Sequence, residues 1–262
     1  MQRLFIALVL WLPLAAHAAL NVFACEPEWA ALAKAIGGNT VQAYAATTAQ
    51  QDPHRIEARP SLIAQMRRAD LVVCSGAGLE AAWLPVLLRE AGNAAVQPGR
   101  PGYFEATRFV ALLEKPASLD RAQGDVHAAG NPHIHTDPRN IARVGAVLAA
   151  RMAALDPSNA ATYQTQWQDF STRWNTAVAR WQQRAQPLKN LPVAVQHKSF
   201  SYLIAWLGMS IFHLPTFLFY KLNPLWVILV PLTGTLYLGM IWSSVVRYYR
   251  GIRSQWKGRI YQ

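Results

Sequence analysis

The chain has 262 residues, 52% of them hydrophobic and 15% charged, enough to bury a sizeable core in one large or two small domains. Its formal net charge of +11 would suit nucleic acid, but the excess is partly local: Arg247, Arg250, Arg253, Lys257 and Arg259 crowd the C-terminus with no acid among them. No zinc knuckle, aromatic RNA-binding strand or heptad-linked basic helix accompanies that charge, so nucleic acid is set aside and the basic end is read as a membrane flank.

Met1-Gln2-Arg3 gives a positive start, Leu4 to Ala15 is an apolar run too short to span a bilayer, and Ala16-His17-Ala18 fits a small-x-small cleavage pattern. Residues 1–18 are therefore expected to be a secretory signal. Export would permit a disulfide between the two cysteines, Cys25 and Cys74, each at the end of an apolar strand-like run; two buried free thiols fit the pattern equally well.

From Leu20 to about Leu155 short β-like runs alternate with amphipathic stretches, the pattern of a parallel sheet covered by helices on both faces. Strands are predicted at Asn21–Ala24, Thr40–Tyr44 and Leu71–Cys74, and helices at Glu26–Ile36, closed by Gly37-Gly38, and Pro60–Arg68. Gly76-Ala77-Gly78 is too short for a nucleotide fingerprint and reads as a tight strand-to-helix turn. Asp137-Pro138 caps and starts a helix running to about Ala154, and Asp156-Pro157 repeats the device. The second helix, Asp156 to Gln186, would be roughly 40 Å long. It carries Tyr163, Trp167, Phe170, Trp174, Val178 and Trp181 at steps of three or four, a stripe expected to pack into a core.

Leu191 to Gln196 reads as another strand, delivering His197. No charge then occurs from Ser199 to Tyr220 or from Leu222 to Val246, and Leu225 to Trp242 has the length and content of a transmembrane helix. An exported N-terminal region and a cytoplasmic basic tail require an odd number of crossings, which this one segment supplies. The expected organisation is a signal peptide (1–18), an α/β lobe (19–155), a long linker helix (156–186), the start of a truncated second lobe (187–209) and a hydrophobic tail (210–262).

Three histidines sit at handovers between elements: His54 beyond the strand ending at Tyr44, His133 before the Asp137-capped helix, and His197 after the strand from Leu191. The carboxyl edge of a parallel sheet is where ligands bind. Imidazoles converging there would suit a borderline divalent ion, zinc first, or manganese if oxygen donors join them.

Several ordered motifs carry a resemblance. Asp52-Pro53-His54, Ala58-Arg59-Pro60-Ser61-Leu62, Ala69-Asp70-Leu71 and Leu79-Glu80 with Trp83-Leu84 come first. Gly124-Asp125-Val126-His127, Gly130-Asn131-Pro132-His133-Ile134-His135 and Asp137-Pro138-Arg139-Asn140 follow, then His197-Lys198 with Tyr202-Leu203 and Trp206-Leu207-Gly208. Over Leu20 to Gly208 the chain closely resembles the cluster A-I solute-binding proteins of zinc and manganese ABC transporters. The resemblance implies two α/β lobes joined by one rigid helix, with an ion held between them and presented to a cognate permease in the inner membrane. It implies His54, His133 and His197 as metal ligands, with His127, His135 and Glu57 as second choices, and no catalysis.

From about Ser210 the resemblance stops. Tyr237-Leu238-Gly239, Tyr248-Tyr249-Arg250-Gly251 and Trp256-Lys257-Gly258-Arg259 resemble instead the membrane tail of a hopanoid-associated family 2 glycosyltransferase, without its catalytic motifs. The combined expectation is a periplasmic zinc or manganese receptor tethered to the inner membrane by its C-terminal helix. The competing readings are a glycosyltransferase remnant, a three-histidine zinc hydrolase using a bound water, and a non-functional fusion.

Overall fold

A computed structural model describes residues 19–116, 127–193, 195 and 198–211, with short pieces at 242–243, 255–256 and 259–260. The chain divides into two compact units, Met1–Leu191 with Val195–Ser210, and Pro192–Ala194 with Ile211–Gln262. In the second unit the described residues include an antiparallel pairing of Gln255–Trp256 with Arg259–Ile260.

The first unit is built on four parallel strands, β1 (Leu20–Ala24), β2 (Val41–Ala45), β3 (Leu71–Cys74) and β4 (Tyr103–Glu105), in the order β2-β1-β3-β4. The order reverses direction between β1 and β3, so the crevice at their carboxyl ends is a topological switch point. The helices are α1 (Pro27–Gly37), α2 (Pro60–Arg68), α3 (Leu84–Ala91), α4 (Pro138–Leu155), α5 (Ala160–Arg184) and α6 (Ser201–Leu207).

Strand periodicity sorts the core into two layers. Leu20, Val22 and Ala24 of β1 and Leu71 and Val73 of β3 face one side, where they pack with Trp29, Ile36, Val144, Leu148, Met152 and Tyr163 from α1, α4 and α5. Phe23 and Cys25, with Val72 and Cys74, face the other side and meet Leu62, Met66, Leu87 and Leu88 from α2 and α3. Helices thus cover both faces, as the alternation predicts. The register Ala24↔Val73 brings Cys25 opposite Cys74, with the Cys25 N–H donating to the Val73 carbonyl at 2.9 Å. The two cysteines form a disulfide with Cα atoms 4.8 Å apart.

Several expectations are adjusted by packing. The strand predicted from Thr40 begins at Val41 because a 3-10 turn consumes Gly38–Thr40. Tyr103–Glu105 and Leu84–Ala91 are a further strand and helix that the sequence reading did not place. The long helix starts at Ala160, after a 3-10 turn at Pro157–Asn159. Its aromatic stripe is core only in part: Tyr163 is fully buried and Trp167, Phe170 and Trp174 pack against the core edge, but Trp181 stays 37% exposed. Of the strand expected from Leu191 to Gln196, Pro192–Val193 is strand, and residues 194, 196 and 197 lie outside the described set.

The expected signal segment and nearly all of the predicted membrane span also lie outside the described residues, as do the glycosyltransferase-like motifs except for Trp256 and Arg259. Among the described residues no helix is long and apolar enough to cross a membrane.

One contact between α4 and α5 fixes how closely they approach. A Cβ added at Gly145 would lie 2.3 Å from the Trp167 ring. Gly145→Ala is expected to destabilise the unit by about 1–3 kcal/mol, the usual cost of overpacking, read as a lower urea-unfolding midpoint.

Candidate metal centre

The histidines are set in place by ordinary backbone devices. His54 follows Asp52-Pro53, and the Asp52 carboxylate Oδ1 accepts from the His54 N–H at 3.0 Å and lies 2.7 Å from its Nδ1. Desolvation pushes the Asp52 carboxyl upward, but the backbone and ring hydrogen bonds from His54 outweigh it and hold the group below its ordinary value. The carboxylate thereby fixes the ring and leaves Nε2 as the outward nitrogen. The buried Trp83 donates its indole N–H to the Pro53 carbonyl at 2.8 Å, tying the loop that carries His54 to the α2–α3 side of the core.

His54 Nε2 lies 3.2 Å from His127 Nε2, and the two rings stack with centroids 5.2 Å apart. His133 stands edge-on to His54 at 5.9 Å between centroids, and His135 edge-on to His133 at 6.0 Å. The four rings thus form one chain beyond the carboxyl edge of the sheet. His127 is also close to the turn after β3: Gly76, Ala77 and Gly78 all have positive φ, and a Cβ on Gly78 would stand 3.5 Å from His127 Nδ1. Glycine at 78 serves the left-handed backbone, while the ring beside it stands at ordinary contact distance.

The His133 loop is fastened by Asn131, whose Oδ1 accepts from the His133 N–H at 2.9 Å. Its Nδ2 donates to Glu114 at 2.8 Å and to the Lys198 carbonyl at 2.7 Å. Tyr202 completes the link, donating its hydroxyl to the Asn131 carbonyl at 2.7 Å and accepting the Leu113 N–H at 3.0 Å. The segment immediately after His197 is therefore docked on the loop that carries His133, while His197 itself lies outside the described residues.

His135, like His54, faces a carboxylate through its Nδ1. Its Nδ1 lies 3.0 Å from a Glu28 carboxylate oxygen; burial pushes the imidazole down, and the Glu28 charge pulls it the other way. Glu57 is exposed to solvent three residues beyond His54. The resemblance ranked His133 above His127, and only the fold reveals that His127 presents its Nε2 directly to that of His54.

The sequence reading also missed a polar cluster beneath the β3 turn. Glu26 and Glu80, 3% and 2% exposed, lie against one another at the carboxyl ends of β1 and β3. Glu26 Oε2 accepts from the Ser75 N–H at 3.2 Å and the Ser75 hydroxyl at 3.0 Å, and Glu80 accepts from the Gly76 N–H at 3.1 Å. Burial first, and then the Glu80 charge, raise the Glu26 carboxyl well above its ordinary value of 4.5. Only the Leu79-Glu80 motif hinted at this cluster.

A carboxyl raised in this way binds its proton more tightly in the folded chain than in the unfolded one. Its contribution is complete below the unfolded value and is lost as pH climbs through the folded one. Glu26→Gln, which cannot ionise, is expected to gain stability relative to the parent as pH rises from mildly acidic to mildly alkaline. Every tenfold tightening of the proton corresponds to about 1.4 kcal/mol, read from paired urea-unfolding curves.

The chain is similar to known proteins over most of the first unit. Residues 22–217 match the model of the family described as "Zinc-uptake complex component A periplasmic". The manganese ABC transporter substrate-binding lipoprotein scaA of Streptococcus gordonii is 26% identical over 148 residues, 55% of this chain and 44% of that protein. The metal ABC transporter substrate-binding lipoprotein SloC of Streptococcus mutans is 25% identical over 157 residues, 59% of this chain and 48% of that one. The chain thus spans about half the length of the curated relatives it matches. The crystal structure of ZnuA superposes with a TM-score of 0.61 at 22% identity, covering 74% of this chain and 69% of that one. Zn(II)-bound AdcA from Streptococcus pneumoniae does so with 0.60 at 18% identity, covering 74% and 39%. At those identities the structures speak for the fold alone. The family match extends across three quarters of the sequence and takes in the sheet, the helices on both of its faces and all four clustered histidines: this chain belongs to the zinc-uptake complex component A periplasmic family.

Proposed function

We propose that the chain binds a divalent transition-metal ion outside the inner membrane, as the solute-binding component that serves an ABC permease, with zinc as first choice and manganese as second. The observation that carries this reading is the 3.2 Å between the Nε2 atoms of His54 and His127. Two imidazole nitrogens bound to one tetrahedral zinc at about 2.0–2.1 Å stand roughly 3.3 Å apart. Zinc ranks first because the donors gathered here are imidazoles, and oxygen donors would shift the preference toward manganese. The relatives bear names for different metals, manganese for the Streptococcus gordonii protein and iron for MtsA of Streptococcus pyogenes.

His54 and His133 are proposed as ligands, with His197 as a third and His127 promoted from second choice by its position. His135 and Glu57 are left as supporting or solvent-facing groups. A membrane tether through the C-terminal segment belongs to this proposal and rests on the sequence of residues 225–242.

Isothermal titration of the full chain with zinc and with manganese, in parallel with alanine variants at His54, His127, His133 and His197, tests the reading. Binding of one ion per chain is expected, with His54→Ala and His133→Ala losing more affinity than His197→Ala. Loss of the ion in His197→Ala alone would contradict it. An absence of any turnover of ester or peptide substrates by the zinc-loaded chain is the expected control against a hydrolase.

A further inference from the structure

The buried cluster at the ends of β1 and β3 has the composition of a binding site of its own. The Cys25 and Cys74 sulfurs and a Glu80 carboxylate oxygen all lie within 4.8 Å of one another. Both cysteines have no exposed surface, and the adjoining Glu26 is 3% exposed. Glu26 keeps one carboxylate oxygen, Oε1, buried without a hydrogen-bond partner, while Oε2 is taken by Ser75, whose hydroxyl in turn accepts from the Trp29 indole at 2.9 Å. Two carboxyls buried side by side need a proton or a cation between them. The position is also the switch point of the sheet, where open α/β folds place ligands.

We propose that Cys25, Cys74, Glu80 and Glu26 form a second divalent-cation site, distinct from the imidazole cluster, that opens when the Cys25–Cys74 disulfide is reduced. Two thiolates and two carboxylates are a donor set for a four-coordinate zinc-like ion. In the disulfide each sulfur spends its reactivity on the other, so the site is shut. Zinc–sulfur bonds of about 2.3 Å at a tetrahedral angle need sulfurs roughly 3.8 Å apart. Cysteines on neighbouring parallel strands with Cα atoms 4.8 Å apart, side chains on one face, can reach that separation by turning about χ1.

The chemistry balances in both directions. A thiol reductant supplies two electrons, breaks the sulfur–sulfur bond and leaves two thiols; the entering cation displaces both thiol protons and the proton held by the carboxyl pair. In reverse, a small-molecule disulfide accepts the two electrons and is cleaved to two thiols, the Cys25–Cys74 bond forms, the cation leaves, and solvent supplies three protons, two to the released thiols and one to the carboxyl pair.

Cobalt(II) is the probe, because thiolate ligands give it a strong near-ultraviolet charge-transfer absorption that imidazole ligands do not. The full chain is titrated with cobalt as the disulfide and after reduction with a phosphine. The expected result is a thiolate band in the reduced chain alone, its final amplitude corresponding to one thiolate-bound ion per chain beyond the ion taken by the imidazoles, and bleached by oxidised glutathione. The band should persist in a His54→Ala/His133→Ala variant, which separates this site from the imidazole cluster. It should vanish in Cys74→Ser, and Glu80→Gln should weaken it at least as much as losing a supporting group does elsewhere, roughly 10- to 100-fold. A reduced chain that stays folded with two free thiols and gives no band overturns the proposal. So does a reduced chain that unfolds and is not refolded by cobalt, since cation binding here would be folding free energy.

Discussion

Replacing His54 with alanine is expected to weaken zinc binding by about 100-fold or more, which corresponds to roughly 2.7 kcal/mol. His54 is the ring on which the cluster turns: it stacks on His127, stands edge-on to His133 and is held by Asp52 on its other nitrogen. Alanine removes one nitrogen donor and leaves the Asp52 carboxylate with no ring to orient. Asp52→Asn keeps the shape but loses the negative partner of Nδ1, and a loss of about 10- to 100-fold is expected from it, in line with the loss of other groups that orient a ligand. Both side chains belong to a loop at the edge of the sheet, so unfolding midpoints without metal should hardly move. Isothermal titration beside urea unfolding separates the two effects, and an unchanged zinc affinity in His54→Ala would remove the basis of the proposed function.

The second large effect concerns stability. The Cys25–Cys74 bridge closes a loop across a sequence separation of 49 residues. Loop-closure entropy for such a span gives about 4 kcal/mol. Phosphine reduction without metal, or Cys25→Ala/Cys74→Ala, is expected to cost about that much and to lower the melting temperature by roughly 10 °C. Reduction should also be slow, because neither sulfur has exposed surface and a reductant must await opening of the β1–β3 edge. A melting temperature that does not change on complete reduction would show that the strands hold their ends together unaided.

The layout of the first unit was legible because its signals are local. Pro60–Arg68 begins on a proline, Asp137 accepts from the Arg139 N–H to cap α4, and β3 is a four-residue apolar run, so each can be read from a window of a few residues. Tyr103–Glu105 was missed because a three-residue strand bounded by turns has no period to display, and its place in the sheet depends on pairing with β3. The candidate site was legible in kind but not in ranking. Nothing in the spacing from His54 to His127 says that their Nε2 atoms face one another; that follows from the β3 turn folding against His127. Glu26 read as the start of a helix and Glu80 as a motif residue. Their mutual burial is a product of strand order, since β1 and β3 are neighbours only because β2 lies on the outside.

The hydrogen bond from Trp83 to the Pro53 carbonyl makes the His54 loop answer to what lies beneath it. Helix α3 begins immediately after Trp83 and presses Leu84, Leu87 and Leu88 into the layer shared with α2. A substitution that loosens that layer would let the indole drift and carry the imidazole with it, though no proposed ligand had been touched. A search for variants with altered ion capture should therefore return hits among aliphatic positions of α2 and α3, and a screen confined to histidines and acids would overlook them.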